Sequence, residues 1–142
     1  MTQPSPVSAH RVVHVRPEVE KGLGYAQARR IGDDIHIAGV ASQDAAFELL
    51  HPRDMEAQVG EVYRTIAAIL AREGFSLQDI VEERVFVTDM AGFVAANKVR
   101  TEILAGALPA TTVVEVTGLV VPGLMIEVSC FARRRSAPGA RL

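Results

Sequence analysis

The stretch LPATTVVEVTGLVVPGLMIEVSCFA, residues 108–132, is apolar or small almost throughout, and its only charges are Glu115 and Glu127. A carboxylate removed from water must be paired, hydrogen-bonded or kept protonated. If residues 124–132 form a strand, its two-residue period puts Met125, Glu127, Ser129 and Phe131 on one face. Ile126, Val128, Cys130 and Ala132 take the other. On the strand before it, Thr111, Val113 and Glu115 share a face. A carboxylate among apolar neighbours has its pKa raised toward neutrality, which suits general acid–base work. The competing reading is a structural carboxylate that holds backbone amides, or a cation across a subunit boundary. Spacing alone does not choose between them.

Other reactive residue types give weaker patterns. Cys130 is the one cysteine, so no intrachain disulfide forms, and it reads as a small core residue. His10 and His14 have the four-residue spacing of a helical metal pair, but their segment reads as a chain end and a strand. No cysteine or carboxylate cluster completes a site, so no metal is expected. Gly22-Leu23-Gly24 lacks the third glycine and following helix of a phosphate loop, and no Gly-x-Ser-x-Gly elbow is present. The net charge is -2, and the one basic run, Arg133 to Arg135, reads as a solvated strand end. Nucleic-acid binding has no support in that balance. No secretory signal and no apolar run of membrane-spanning length is visible, so a soluble cytoplasmic protein is expected.

These residues need elements to position them. The chain has 142 residues, 49% hydrophobic and 23% charged, a composition suited to one globular domain. Residues 1–10 and 136–142 are expected to be disordered or loose, flanking a single domain over 11–135. Residues 11–15 read as a short strand. Residues 25–31 and 35–40 flank Gly32-Asp33-Asp34 and read as a hairpin. Residues 41–52 show no period and read as a loop. Over 53–73, Met55, Val59, Val62, Ile66, Ile69 and Leu70 recur at helical spacing, with Gly74 as the stop. A strand over 81–88 leads to a helix capped by Thr88 or Asp89, with Phe93, Ala96, Val99 and Ile103 inward, ending near Gly106. Residues 111–116 and 124–132 complete a β-β-β-α-β-α-β-β order. One mixed sheet with both helices on the same face accommodates it. Val113, Val114, Val116, Ile126 and Val128 make the last strands apolar on both sides. With only two helices to share, the second face calls for another copy of the chain.

In this order and spacing, the segments GYAQARRIGDDIHIAG, DMEAQVGEVYRTIAAILAREGFSLQDIVEERVFVTDM, FVAANKVRTEIL and PATTVVEV…GLMIEVSCFA resemble the RidA/YjgF-type (Rid) enamine/imine deaminases, over residues 22–132. The resemblance implies a chorismate-mutase-like α+β fold and a homotrimer with sites at the subunit interfaces. It also implies hydrolysis of small reactive enamines or imines such as 2-aminoacrylate, without metal or organic cofactor. The family's pocket tyrosine matches Tyr25, its helix asparagine Asn97, and its acid/base glutamate Glu127. Its substrate-clamping arginine, in the motif PARS, does not match: that position is Thr111. The pocket cysteine of many members is Val113, and the residues bracketing the hairpin glycine are Ala38 and Val40.

A guanidinium fork grips a carboxylate with two charge-assisted bonds, whereas threonine supplies one neutral hydroxyl. The standard 2-aminoacrylate activity should therefore be weak, and the cation expected near Glu127 is missing. Arg84, on a strand with Phe86 and Thr88, is one replacement; Arg29, Arg30 and Arg100 are others. Two functions compete. In the first, Glu127 activates a water against a small imine or enamine, with an aminomuconate-like compound as one substrate, while Tyr25, Asn97, Thr111 and Val113 line the pocket. In the second, the trimer binds a small metabolite or carboxylate without turning it over.

Overall fold

The computed structural model describes residues 10–135. They form a six-stranded sheet and three α-helices: β1 (His10–Val13), α1 (Pro17–Leu23), β2 (Ala28–Ile31), β3 (Asp34–Ala41), α2 (Met55–Arg72), β4 (Ile80–Val87), α3 (Met90–Leu104), β5 (Ala110–Glu115) and β6 (Ile126–Arg133). The expected loose segments fall almost wholly outside the described residues, although His10 already opens β1. The sheet runs β1-β2-β3-β6-β4-β5, antiparallel except for the β4–β5 pair. The expected α+β sheet is present, with one correction to its order: α1 stands between β1 and β2, giving β-α-β-β-α-β-α-β-β.

The sheet has two unlike faces because its strands alternate. Ile126, Val128, Cys130 and Ala132 of β6 are buried with Val85 and Val87 of β4 and Ile35 and Ile37 of β3. Against them pack Val59, Val62, Ile66, Ile69 and Leu70 of α2, with Phe93, Ala96 and Leu104 of α3. At about 25 cal/mol per Å2 of apolar area, this layer is the main stabilising contribution. Asp54 caps α2 through the Ala57 N–H and Asp89 caps α3 through the Gly92 N–H, at 3.0 Å each. The opposite face carries Glu82, Arg84, Phe86, Glu127, Ser129 and Phe131, all half-buried or exposed. Among the described residues no helix is long and apolar enough to cross a membrane.

The two carboxylates of the apolar stretch part company here. Glu115 pairs with Val87 in register and belongs to the helix side, where its Oε1 accepts the Met90 N–H at 2.9 Å and satisfies the start of α3. Glu127 pairs with Phe86 on the open side.

Candidate functional site

Glu127 lies over a kink in its neighbour. The β3–β6 ladder is regular to Ile37 opposite Cys130, then shifts register before Val40 opposite Val128. The gap holds Ala38 and Gly39. A Cβ built on Gly39 would stand 2.2 Å from Glu127 Oε1 and 2.9 Å from its Cγ, so glycine makes room for the carboxylate there. Gln27 closes the kink from β2, donating through Nε2 to the Ala38 and Gly39 carbonyls at 3.0 and 3.3 Å.

The carboxylate reaches a cavity of about 400 Å3 with Tyr25, Gln27, Gly39, Val40, Phe47, Val120 and Arg16 around it. Burial raises its pKa above the ordinary carboxylate value, and no donor or cation among the described residues opposes that shift. Tyr25 is delivered by the end of α1: Gly24 turns left-handed (φ 80°), and the Tyr25 N–H bonds the Glu20 carbonyl at 2.9 Å. The Tyr25 hydroxyl is pushed up by burial, then by the charges of Glu20 and Glu127, and pulled down by Arg16.

Glu20 fixes this corner. Its buried carboxylate takes the Val15 and Gln27 N–H groups at 2.9 and 2.7 Å, the Arg16 N–H, and His14 Nδ1 at 2.8 Å. Burial works against its ionisation, yet these donors hold its pKa below the ordinary value.

The other residues singled out by sequence gather elsewhere. Asn97, Thr111 and Val113 line a second cavity of about 440 Å3 with Phe93, Arg100 and Leu108, on the α3 side of β5. Arg100 dominates it. The Arg100 guanidinium bonds Glu83 Oε1 at 2.7 Å, Tyr63 Oη at 3.0 Å and Thr111 Oγ1 at 3.0 Å. Its charge is thus matched by a wholly buried carboxylate, whose other oxygen finds no partner among the described residues. Tyr63 is raised well above the ordinary phenol range by burial and by the Glu83 charge.

Arg84 shares the open face with Glu127 but stands opposite Ser129, pairs with Glu82 at 3.0 Å, and lines a third cavity with Arg29 and His36. It therefore does not share the Glu127 cavity. Arg30 bonds the Glu73 carbonyl at 3.0 Å. The cation that does line the Glu127 cavity is Arg16, which sequence reasoning passed over. Its signal was Pro17 as a first helical residue, with Glu18 and Glu20 in the following turn. Cys130 is buried, and that burial, with the Glu83 charge, pushes its thiol up to about 12, so it is no nucleophile at neutral pH. Among the described residues no group of three or more His, Cys, Asp or Glu side chains could hold a metal ion.

Comparisons with known proteins converge. The 3-aminoacrylate deaminase RutC of Acinetobacter baylyi is 32% identical over 108 residues, covering 76% of this chain and 85% of that protein. A YjgF/YER057c/UK114 family member from Mycobacterium tuberculosis has the same fold, with a TM-score of 0.76 at 30% identity, over 88% of this chain and 99% of that one. RidA from an Antarctic Psychrobacter matches with a TM-score of 0.70 at 31% identity, over 78% and 88%. The family model described as Endoribonuclease L-PSP matches residues 16–134. With that match over most of its length, the chain belongs to the RidA/YjgF family.

Proposed function

We propose that this protein is a hydrolytic deaminase of a small enamine or imine, with Glu127 as its acid/base. The observation that carries the reading is a half-buried carboxylate facing a cavity, raised by burial and met by no cation or donor among the described residues. A carboxylate lifted above its ordinary value is a stronger base than a free one and can both take up and return a proton. The deaminase named among the relatives acts on an enamine of this kind. The enamine first takes a proton at carbon and becomes an iminium ion. As water oxygen bonds the C=N carbon, Glu127 accepts the water proton. It then gives that proton to nitrogen, and as the C–N bond breaks and ammonia leaves, the hydroxyl proton passes back to Glu127, so that a carbonyl product remains and the first proton is returned.

The assembly proposed is a homotrimer. In one chain Tyr25 and Glu127 line one cavity, while Asn97, Thr111 and Val113 line another. Both cavities have exposed apolar rims: Leu23 and Val120 at the first, 63% and 66% exposed, and Leu108 at the second, 94% exposed. Unlike patches that complete each other make a head-to-tail contact, and such contacts form a ring when the rotation between copies closes. Three copies would then join the two half-sites at each boundary.

Ammonia release from imines generated in situ by an amino-acid oxidase tests the chemistry. Glu127→Gln should lower it about 100-fold or more. Unchanged turnover overturns the assignment, and a monomer in analytical ultracentrifugation overturns the assembly. A second reading, ligand binding without turnover, is favoured by Thr111 and by the neutralisation of Arg100 by Glu83. Thermal stabilisation by a carboxylate, with no imine consumed, would select it.

A further inference from the structure

We propose that Arg16 is the anion anchor of the Glu127 cavity, standing in for the clamping arginine that Thr111 replaces. The acid group of the ligand meets Arg16, its flat body lies between Tyr25 and Phe47, and its reacting carbon lies toward Glu127. The reacting carbon rests on the deaminase reading; the anchor does not.

The cations of this fold differ in how their charge is spent. Arg100 is matched by Glu83 and Arg84 by Glu82. Among the described residues the Arg16 guanidinium is bound only by neutral groups: Nε donates to the Asp44 carbonyl at 2.6 Å and Nη2 to the Gln43 carbonyl at 2.9 Å. A guanidinium has five N–H groups. Two carbonyls fix its direction and leave the full charge and further donors available. No carboxylate lies within ion-pair distance of it among the described residues.

Both sides of the anchor are held. The Arg16 N–H is tied to Glu20. The carbonyls belong to a loop over 42–54, in which the Phe47 N–H closes a turn on the Asp44 carbonyl at 3.1 Å. Asp44 Oδ1 accepts the Ala46 and Glu48 N–H groups at 2.8 and 3.0 Å. Phe47 sits in this loop at φ 67°, a left-handed conformation that a bulky residue adopts at a cost. That conformation presents an aromatic ring to the same cavity.

Tyr25 feels both Arg16 and Glu127, yet no cation among the described residues acts on Glu127 itself. The positive group and the acid therefore face the same space without touching. A ligand that fills the gap must be negative at one end and apolar and flat in the middle, to match a fork, a phenol ring and a phenyl ring.

Calorimetric titration of the whole protein with crotonate and with crotonamide, two ligands of nearly equal shape, tests the anchor. Wild type should bind crotonate at least tenfold more tightly. Arg16→Gln keeps amide donors for the two carbonyls and removes the charge, and should weaken crotonate about 10- to 100-fold while sparing crotonamide. Glu127→Gln should keep the discrimination. Equal affinities in wild type would overturn the anchor, even if the Arg16 variant failed to fold. So would discrimination that persists in Arg16→Gln and vanishes in Arg100→Gln. If no imine is turned over while Arg16-dependent discrimination stands, the deaminase reading fails and the anchor survives.

Discussion

Glu20 and Glu127 are carboxylates withdrawn from water at either end of the same corner. On Glu20 converge three backbone N–H groups and a histidine ring; on Glu127 no donor among the described residues converges. The first is held below the ordinary carboxylate range and the second is lifted above it, although burial pushes both upward. Burial alone therefore does not decide what a buried acid is for. The donors around it do.

The contrast has a spatial logic. Glu20 spends its lone pairs on the N–H groups of Val15, Arg16 and Gln27, which fixes the segments on either side of α1. Those segments carry Arg16, Tyr25 and Gln27 into the cavity that Glu127 faces. The satisfied acid builds the wall, and the unsatisfied one leaves its lone pairs open to the cavity. Glu83 lies between the two cases: one oxygen is saturated by Tyr63 and Arg100, and the other has no partner among the described residues.

The largest effect should follow from breaking the satisfied member. Glu20→Ala leaves several donors facing a void, and a loss on the order of 3–5 kcal/mol is expected. Against a total of about 5–15 kcal/mol, that threatens the fold itself. Urea unfolding measures it, and a loss under about 1 kcal/mol would show that Glu20 is no keystone. The pH sign follows from its lowered pKa. The stabilisation Glu20 provides is complete above the unfolded carboxylate value and disappears as pH falls through the lower folded value. The gap between wild type and Glu20→Ala should therefore narrow in strong acid.

Glu20 also marks where sequence reasoning reached its limit. The α2 and α3 helices were legible because Val59, Val62 and Ile66, and Phe93 and Ala96, repeat at helical spacing, and the alternation of β6 placed Glu127 on the face it occupies. The α1 helix was not legible: it has seven residues, and its one wholly buried side chain is the charge of Glu20. An element anchored by hydrogen bonds to a carboxylate leaves no apolar period to read. Arg16 was missed for a related reason. Its role depends on carbonyls of residues 43 and 44, about 28 positions away, and backbone carbonyls have no sequence signature. The distribution of Tyr25 and Glu127 to one cavity and of Asn97 and Thr111 to another is likewise a property of the folded sheet.

A middle-sized effect should come from moving Glu127 without changing it. Gly39→Ala puts a methyl where the carboxylate lies, and the side chain has to swing aside. Gly39 has no left-handed backbone, so alanine adds no torsional strain there. A fall in kcat of about 10- to 100-fold is expected, with little change in Tm, because a displacement near 1 Å is enough to misplace a reacting group. Steady-state kinetics beside a melting curve separates the two quantities. Equal loss of both would mean that the bulge, rather than the carboxylate position, had been damaged.

The smallest effect, and the finest test of the comparison, is the stability of Glu127→Gln. A carboxylate whose folded pKa is raised makes a contribution complete below the unfolded value, and that contribution is lost as pH rises through the folded one. At neutral pH the ionised Glu127 therefore costs stability, opposite in sign to Glu20. Glutamine occupies nearly the same volume without the charge, so the variant should melt a few degrees higher than wild type at pH 7. The advantage should shrink to nothing below the ordinary carboxylate pKa, where both side chains are neutral. Melting curves across that range check it. A variant less stable than wild type at pH 7 would mean that Glu127 is satisfied in solution by a partner, a neighbouring subunit being the nearest source, and the two acids would then differ in who supplies the donors rather than in whether donors are supplied.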